Sequence, residues 1–243
     1  MSIKQEIRKI LWKVGYDFCR FTPTKHPIAR KKQIFETCEI DIVLDIGANT
    51  GQFAQQLRND IDFKNKIISF EPLSSVFKVL KQNAKGDSEW EVFNYALGDT
   101  EEKKEINIAG NLFSSSFLDM LPTVLRSAPE AKYIGKELVD IKTLDSIFRD
   151  LCDTAKNVYM KIDTQGFERK VLKGAEKSLS QIDIVQMEMS LLSLYEGEFL
   201  FNDMCMLMAE KGYSLIGIET GFSDRHTGRL LQVDGIFQAA VSK

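Results

Sequence analysis

Hydrophobic and polar positions follow two different periods along the chain, which predicts alternating strands and helices. Short apolar runs that end in a charge or a glycine predict strands over residues 41–46, 66–71, 91–95, 103–108, 138–141, 157–162, 183–189, 213–218 and 235–241. Longer stretches with apolar residues three or four apart predict helices over residues 2–19, 51–60, 73–84, 143–151, 167–178 and 198–211. Residues 109–137, which carry several Ser, Pro and Gly, are expected to form a long loop or lid.

The order of these elements predicts one α/β domain with a doubly wound, mostly parallel sheet. Residues 36–243 are expected to form this domain and residues 1–35 an N-terminal helical extension. No helix separates the last two strands, so they are expected to form an antiparallel pair at one edge, and 103–108 an additional edge strand. Ligands of such sheets bind beyond the carboxyl ends of the strands, which is where the candidate site is sought.

The turn after the first predicted strand and the end of the second strand carry the most informative residues. The turn reads Asp45-x-Gly47-x-Asn49-x-Gly51, and Glu71 ends the second strand. A carboxylate there can accept both hydroxyls of a ribose, while the glycines let backbone amides approach a ligand. Because the last glycine of a dinucleotide fingerprint is missing and Asp45 suits a cationic ligand, S-adenosylmethionine is favoured over a nicotinamide cofactor. A nicotinamide-dependent oxidoreductase and a non-catalytic cofactor-fold module stay open as alternatives.

Composition narrows the class of protein further. The net charge of −3 speaks against a nucleic-acid partner, and no apolar run reaches the roughly 18 residues of a membrane span. The N-terminus lacks the apolar core of a signal peptide, and the four cysteines form no C-x-x-C motif, so reduced thiols in a cytoplasmic protein are expected. With only two histidines, no tightly held structural metal is predicted.

The N-terminal segment has an amphipathic, basic pattern of its own. Apolar residues fall on one face of the predicted helix, at Ile3, Ile7, Ile10, Leu11, Val14 and Phe18. Basic residues occupy the rest, at Lys4, Arg8, Lys9, Lys13 and Arg20. Such a helix covers its own domain or a subunit contact in a homo-oligomer, or it lies on an anionic membrane or a partner. The sequence leaves these alternatives open.

Several segments together resemble the FkbM-type, class I S-adenosylmethionine-dependent methyltransferases. They are VLDIGANTGQFA, ISFEP, NYALGD, TLDSIF, YMKIDTQGFERKVLKGAE, IVQMEM and VDGIF, and they run from about residue 42 to residue 238. The resemblance implies a Rossmann-like, seven-stranded sheet with an antiparallel last strand. It also implies O-methylation of a hydroxyl on a sugar, polysaccharide or natural-product acceptor. One departure is Gln165, which stands where the family commonly has glutamate.

The resemblance also implies a set of cofactor-binding residues. In these terms the methionine half is lined by Asp45, Gly47, Asn49 and Gly51, the ribose is bound by Glu71, and the adenosine lies against Pro72, Ala96 and Leu97, with Asp163 beside the transferred methyl group. Each of these positions also has a purely structural interpretation, such as a helix cap for Asp163.

Methyl transfer to a hydroxyl requires alignment of the two reactants and removal of a proton, by a base or with the help of a metal. Asp163, Glu168 and Glu188 are candidate bases because they lie near the ends of predicted strands. His226 is a further candidate, in the loop after the sixth main strand. A divalent cation held by carboxylates stays open as a second cofactor. Equally, Glu188 reads as a structural carboxylate and His226 as a solvated loop residue.

Overall fold

A computed structural model describes residues 3–240 of the chain. The chain divides into two compact units, residues 1–39 and residues 40–243. The strands are β1 Ile42–Ile46, β2 Lys66–Phe70, β3 Trp90–Phe93, β4 Ala96–Leu97, β5 Glu102–Ala109, β6 Tyr133–Lys142, β7 Val158–Ile162, β8 Ile184–Ser190, β9 Tyr213–Thr220 and β10 Gln232–Ala239. The helices are α1 Ile3–Lys13, α2 Pro27–Thr37, α3 Gln52–Gln56, α4 Ser74–Asn83, α5 Pro122–Ser127, α6 Leu144–Cys152, α7 Glu168–Lys173 and α8 Phe201–Glu210.

The N-terminal unit contains α1 and α2. The predicted helix over residues 2–19 is shorter than expected, because α1 ends at Lys13 and a turn follows; Ser2 lies outside the described residues. The pattern gave no sign of α2, whose first turn holds Pro27, a residue preorganised for a helix start. Large hydrophobic side chains of this unit are exposed at Ile7, Ile10, Trp12, Val14, Tyr16, Phe18 and Phe21. A covering, membrane or partner role for this unit stays a prediction.

The larger unit is built on a seven-stranded sheet in the order β3-β2-β1-β7-β8-β10-β9. Neighbouring strands run parallel except where β10 pairs with β8 and β9, to both of which it is antiparallel. The predicted α/β fold, with a mostly parallel sheet and an antiparallel last strand, is therefore confirmed. The antiparallel pair β9–β10 at one edge of the sheet is also confirmed, with β9 outermost and β10 between β8 and β9. Residue 241 of the predicted last strand lies outside the described residues.

The centre of this sheet is buried on both faces. All residues of β1 and β7 are buried, which is why both strands read as continuous apolar runs interrupted by one charge each, Asp45 and Lys161. The register pairs these two charged residues side by side. Apolar side chains of both strands belong to one core cluster that also holds Phe70, Leu144 and Phe167. This rigid centre fixes the strand ends from which the site is built.

A separate three-stranded sheet, in the order β4-β6-β5, replaces the predicted edge strand and part of the predicted loop. The strand expected at residues 103–108 is β5, and it pairs antiparallel with β6 instead of joining the main sheet. The strand expected at residues 138–141 is the end of β6, which begins at Tyr133. The predicted loop 109–137 also contains α5 and a 3₁₀ turn, Pro129–Ala131. Alternation of apolar and polar residues predicts a strand with one buried face, but it does not predict which sheet that strand joins.

Two predicted helices are shorter than expected. The helix expected over residues 167–178 ends at Lys173, and a 3₁₀ turn, Ser178–Gln181, follows. The helix expected over residues 198–211 begins at Phe201. Within residues 3–240, no helix combines the length and the apolar character that crossing a bilayer requires.

Candidate active site

The turn after β1 brings backbone groups to the carboxyl edge of the sheet. Gly47 has a φ of +78°, and a Cβ atom there would lie 1.9 Å from the backbone oxygen of Asp163. Only glycine fits this approach. Asn49 also has a positive φ, 48°, as expected for a residue that tolerates the left-handed region. The turn is therefore held directly against the end of β7.

Glu71 follows β2 and directs both carboxyl oxygens toward backbone amides. Its Oε2 accepts the N–H of Asn49 at 3.0 Å, and its Oε1 accepts the N–H of Leu73 at 2.8 Å. The residue is only 5% exposed and lines a cavity, and burial raises the pKa of its carboxyl group to about 7. Because an ionised carboxyl oxygen has a second lone pair, Glu71 can fix the turn and still accept ligand hydroxyls.

Asp45 and Gly51 lie outside the lining of this cavity, contrary to the expectation that they line it. Asp45 is fully buried inside β1, where its Oδ2 accepts the hydroxyl of Ser69 at 3.2 Å. Burial raises the pKa of this carboxyl group to about 6. Gly51 begins α3, where a Cβ atom would lie 2.6 Å from the ring of Trp90. Both residues lie behind the cavity wall, where they support the turn, and their contact with a cofactor stays a prediction.

The cavity beside Glu71 has a volume of about 260 Å³. It brings together most of the predicted residues, namely Gly47, Asn49, Glu71, Pro72, Ala96, Leu97, Asp163 and Glu188. Leu73, Ser115 and Gln165 also line it, and Phe113, Phe117 and Phe167, which the sequence did not single out, complete the wall. We call this space the first cavity.

Asp163 follows β7 and pairs with Lys161, whose Nζ lies 2.9 Å from Asp163 Oδ2. Burial alone would raise the pKa of Asp163, but the ammonium group of Lys161 lowers it more, and the net pKa lies below its ordinary value. The Lys161 ammonium also lies 5.4 Å from the centre of the Phe53 ring. Lys161 was missed at the sequence level, although a single charge in an apolar strand is a signal that could have found it.

Gln165 connects the two candidate catalytic carboxyl groups. Its Nε2 donates to Asp163 Oδ1 at 3.1 Å and to Glu188 Oε2 at 2.6 Å. Its Oε1 accepts the hydroxyl of Tyr195 at 2.7 Å. A second amide, Gln232 Nε2, donates to the same Glu188 oxygen at 2.8 Å. Asp163 and Glu188 are therefore members of one hydrogen-bonded cluster.

The two acidic groups of β8 and α7 have different surroundings. Burial raises the pKa of Glu188 well above its ordinary value, and the negative charges of Asp163 and Asp234 add to this effect. Burial also raises the pKa of Glu168, to about 7. Glu168 Oε1 accepts the backbone N–H groups of Thr164 and Gly166 at 2.9 and 3.2 Å, so Glu168 closes this turn. Within the described part of the chain, the N-terminus of α7 has no side-chain cap, so Asp163 does not cap it, and Glu168 instead holds the turn that precedes the helix.

His226 is not brought to the cluster. It is exposed, and its backbone N–H donates to Asp224 Oδ1 at 3.1 Å within its own loop. The prediction of a base at this position finds no support in its location, because the loop folds on Asp224, which also accepts the N–H of Thr227 at 2.7 Å. The solvated-loop alternative describes it better.

A second cavity, of about 410 Å³, adjoins the first. The two share Phe113, Gln165 and Glu188. Its other walls come mainly from loops, together with α5, the 3₁₀ turn after it and the start of β10. They carry a mixed set of side chains, namely Asn111, Ser114, Val124, Ala128, Glu130, Leu194, Tyr195, Phe222, Arg225 and Gln232. The carboxyl cluster thus lies where two cavities meet.

Comparison with known families identifies the family to which the chain belongs. A sequence model of the methyltransferase FkbM domain matches residues 45–215, more than two thirds of the chain. The chain belongs to the FkbM methyltransferase family. The model that matches is that of a methyltransferase domain, which speaks against a nicotinamide-dependent oxidoreductase. No curated protein matches the sequence.

Solved structures similar to this FkbM protein share its fold at low sequence identity. An uncharacterised protein from Listeria monocytogenes serotype 4b has a TM-score of 0.50 at 7% identity, over 88% of this chain and 67% of its own. The methyltransferase FkbM from Methylobacillus flagellatus KT has a TM-score of 0.48 at 15% identity, over 81% of this chain. The match spans 44% of the Methylobacillus protein, which is less than half of its length.

Metal ligands were a further open question for this FkbM protein. Within residues 3–240, no group of three or more His, Cys, Asp or Glu side chains is placed to hold a metal ion. The sequence left open a divalent cation held by carboxylates. Two of the candidate carboxyl groups, Asp163 and Glu188, are both bonded to the Gln165 amide.

Proposed function

We propose that the protein transfers a methyl group from S-adenosylmethionine to a hydroxyl of a sugar, polysaccharide or natural-product acceptor. The observation that carries the proposal is the position of the cluster of Asp163, Gln165 and Glu188. It borders both the cavity beside Glu71 and a second, larger cavity. A transferase needs this arrangement, because donor and acceptor must meet at one point from two sites.

The residues of the first cavity fit the cofactor. The lack of a Cβ at Gly47 lets the β1 turn pack against the backbone of Asp163, and Gly47 and Asn49 line the cavity, so the turn can contact a ligand through its backbone. Glu71 offers lone pairs to the paired hydroxyls of a ribose, and Pro72, Ala96, Leu97 and Phe117 offer apolar contacts to an adenine ring. When bound, the cofactor supplies an electrophilic methyl group on a sulfonium.

Asp163 and Glu188 have complementary roles in this proposal. Asp163 is ionised beside Lys161, so it can accept a hydrogen bond from the acceptor hydroxyl and orient it. The raised pKa of Glu188 makes its ionised form the stronger base of the two, so ionised Glu188 takes the hydroxyl proton as the bond between oxygen and methyl forms. Both recorded amide donors reach Glu188 Oε2, which leaves Oε1 for that proton.

The second cavity supplies the acceptor side. Phe113, Phe222 and Tyr195 offer aromatic faces for the C–H groups of a ring, and the amides Asn111 and Gln232 can bond its hydroxyls. Such a mixture of aromatic faces and neutral polar groups suits a sugar or a polyhydroxylated natural product better than an apolar chain.

The test is formation of S-adenosylhomocysteine from S-adenosylmethionine with a panel of sugars, oligosaccharides and polyhydroxylated natural products. We expect methyl ethers as products and binding of S-adenosylhomocysteine in calorimetry. Glu71→Ala serves as the cofactor-site control, and titration with NAD serves as the negative ligand. N- or C-methylated products would reject the hydroxyl chemistry, and turnover at the normal rate in Glu188→Gln would reject Glu188 as the base.

A further inference from the structure

We propose that Gln165 is a positioning residue of the transfer step: its amide holds the carboxyl groups of Asp163 and Glu188 together and keeps a third negative charge out of their junction. This inference deepens the proposed function and rests on it for its kinetic part. It uses the residue at which the chain departs from the pattern of its family.

The hydrogen bonds of Gln165 fix which end of the amide faces the carboxyl groups. The Tyr195 hydroxyl donates to Oε1 at 2.7 Å, so the oxygen is engaged on that side. The NH₂ group then points at Asp163 Oδ1 and Glu188 Oε2, at 3.1 and 2.6 Å. A primary amide has two N–H donors, and each carboxyl group receives one of them.

The backbone of Gln165 is held as firmly as its side chain. Its φ is +55°, in the left-handed region, and its carbonyl oxygen accepts the hydroxyl of Ser116 at 2.7 Å. The following Gly166 also has a positive φ, and its N–H donates to Glu168. A side chain anchored at both ends keeps its geometry when ligands enter, as a positioning residue must.

A glutamate at position 165 would lie among several other acidic groups. Charged and titratable groups surround the cluster from every packed element: Asp45 on β1, Lys161 and Asp163 near β7, Glu168 on α7, Glu188 on β8, Tyr195 and Glu198 after β8, and Asp234 on β10. Lys161 is already paired with Asp163, and Arg225, which lines the second cavity, lies 4.0 Å from Glu130. A third carboxylate between Asp163 and Glu188 would therefore need an added proton or a divalent cation.

The first experiment measures thermal unfolding of the cofactor-free protein against pH, with and without millimolar magnesium. We expect Gln165→Glu to lose stability relative to the wild type as pH rises from about 5 to about 8, because a buried carboxyl group among carboxylates has a raised pKa in the folded state. Magnesium should restore part of the loss. Gln165→Ala should follow the pH dependence of the wild type, and so should Gln181→Glu, a charge control on an exposed position.

If Gln165→Glu follows Gln181→Glu at every pH, with no effect of magnesium, the charge argument is wrong. This measurement does not depend on turnover, so it decides the charge argument even if the protein proves not to methylate hydroxyls. If Gln165→Glu does not fold, the proposal is decided by Gln165→Ala and Tyr195→Phe in the second experiment.

The second experiment measures kcat, acceptor KM and affinity for S-adenosylhomocysteine. Loss of hydrogen bonds to charged groups predicts that Gln165→Ala lowers kcat about 10-fold or more while cofactor affinity changes less than about 3-fold. Tyr195→Phe should lower kcat in the same way but less. The double variant should be no worse than Gln165→Ala, because both act through one amide. Normal kcat in Gln165→Ala, or additive losses in the double variant, would overturn the positioning role.

Discussion

The two cavities that meet at Glu188 are built from different parts of the chain. The first is walled mainly by residues at the ends of strands, such as Gly47, Glu71 and Asp163, where backbone contacts leave little freedom. The second is walled mainly by loop residues at positions 111–114, 194–195 and 222–225, together with α5, the 3₁₀ turn after it and Gln232 at the start of β10. Its side chains pack on a small cluster around Val124 and Leu194, apart from the main core.

This difference separates what the fold fixes from what it leaves free. A strand end cannot change without moving the sheet, so the first cavity suits a ligand common to a whole family. Loop side chains change at little cost to the fold, so the second cavity suits a ligand that differs among proteins of the same fold. The comparison predicts that substitutions in the two cavities affect different measurements.

The largest expected effect is at Gly47. A Cβ atom 1.9 Å from the Asp163 backbone oxygen cannot be accommodated by a side-chain movement, so Gly47→Ala should abolish cofactor binding and markedly lower the melting temperature. Gly86→Ala is the matched control, because Gly86 also has a positive φ, +96°, with no atom within 4 Å of the added Cβ. The control should cost only the backbone strain, about 1–2 kcal/mol. Equal melting temperatures would contradict the close contact.

Asp163→Asn should damage turnover more than cofactor binding. Asn is nearly isosteric, but it loses the charge that pairs with Lys161 and orients the acceptor, so kcat should fall about 100-fold or more. Measured on one preparation, the affinity for S-adenosylhomocysteine should change little. Asp153→Asn, at an exposed position, controls for the change in charge. A normal kcat with a lowered melting temperature would show that Asp163 is only structural.

Glu71→Ala should weaken S-adenosylhomocysteine by ~1.5–3 kcal/mol, the scale of hydrogen bonds to a charged group. The acceptor KM should stay within a small factor, because Glu71 lines only the first cavity. Calorimetry on the variant and on Glu101→Ala, an exposed control, checks this. Unchanged affinity in Glu71→Ala would refute the ribose contact.

Phe222→Ala tests the other side of the comparison. Phe222 lines the second cavity and not the first, so its loss should raise the acceptor KM about 10-fold through lost aromatic contact, with cofactor affinity unchanged. The measurement is steady-state kinetics with a compound of the panel that the wild-type protein methylates. Weaker cofactor binding in this variant would mean that the two cavities are not independent.

The smallest expected effect is a pH dependence of cofactor affinity. The pKa of Glu71 is about 7 in the free protein, so the ionised form that accepts ribose hydroxyls gains population as pH rises from about 6 to about 8. Affinity should rise severalfold over this interval and be flat in Glu71→Gln. The free energy of unfolding of the cofactor-free protein should change in the opposite direction. Because the pKa of Glu71 is raised in the folded state, the contribution of Glu71 to this free energy is lost as pH rises through about 7. A flat wild-type profile would contradict the shifted pKa.

The parts of the fold that the sequence predicted are those set by local constraints. The β1 turn followed from Gly47 and Asn49, and the candidate carboxyl groups from acids directly after apolar strands, because strand ends meet at one edge of a parallel sheet. The insertion of β10 between β8 and β9 was not predictable from alternation, since pairing partners depend on contacts far apart in the chain.

The rest of the site depends on side chains that no motif marks. Gln232 and Tyr195 reach Glu188 and Gln165 from segments without periodicity, so only the folded chain shows that they belong together. His226 shows the opposite error: a reactive side chain at a plausible loop position was given a role that its own loop contacts do not support. Lys161 is visible in the sequence as a single charge in an apolar strand. Its register neighbour on β1, Asp45, explains its presence there.

The support below the β1 turn has an optical consequence. Trp90 donates its indole N–H to the Ser69 hydroxyl at 3.0 Å, and Ser69 is in turn bonded to Asp45. Because Trp90 and Trp12 are the only tryptophans of the chain, Trp12→Phe leaves one emitter, coupled through a single hydroxyl to the carboxyl group of β1. Its fluorescence can therefore report the arrival of a ligand at the turn, without any label on protein or cofactor.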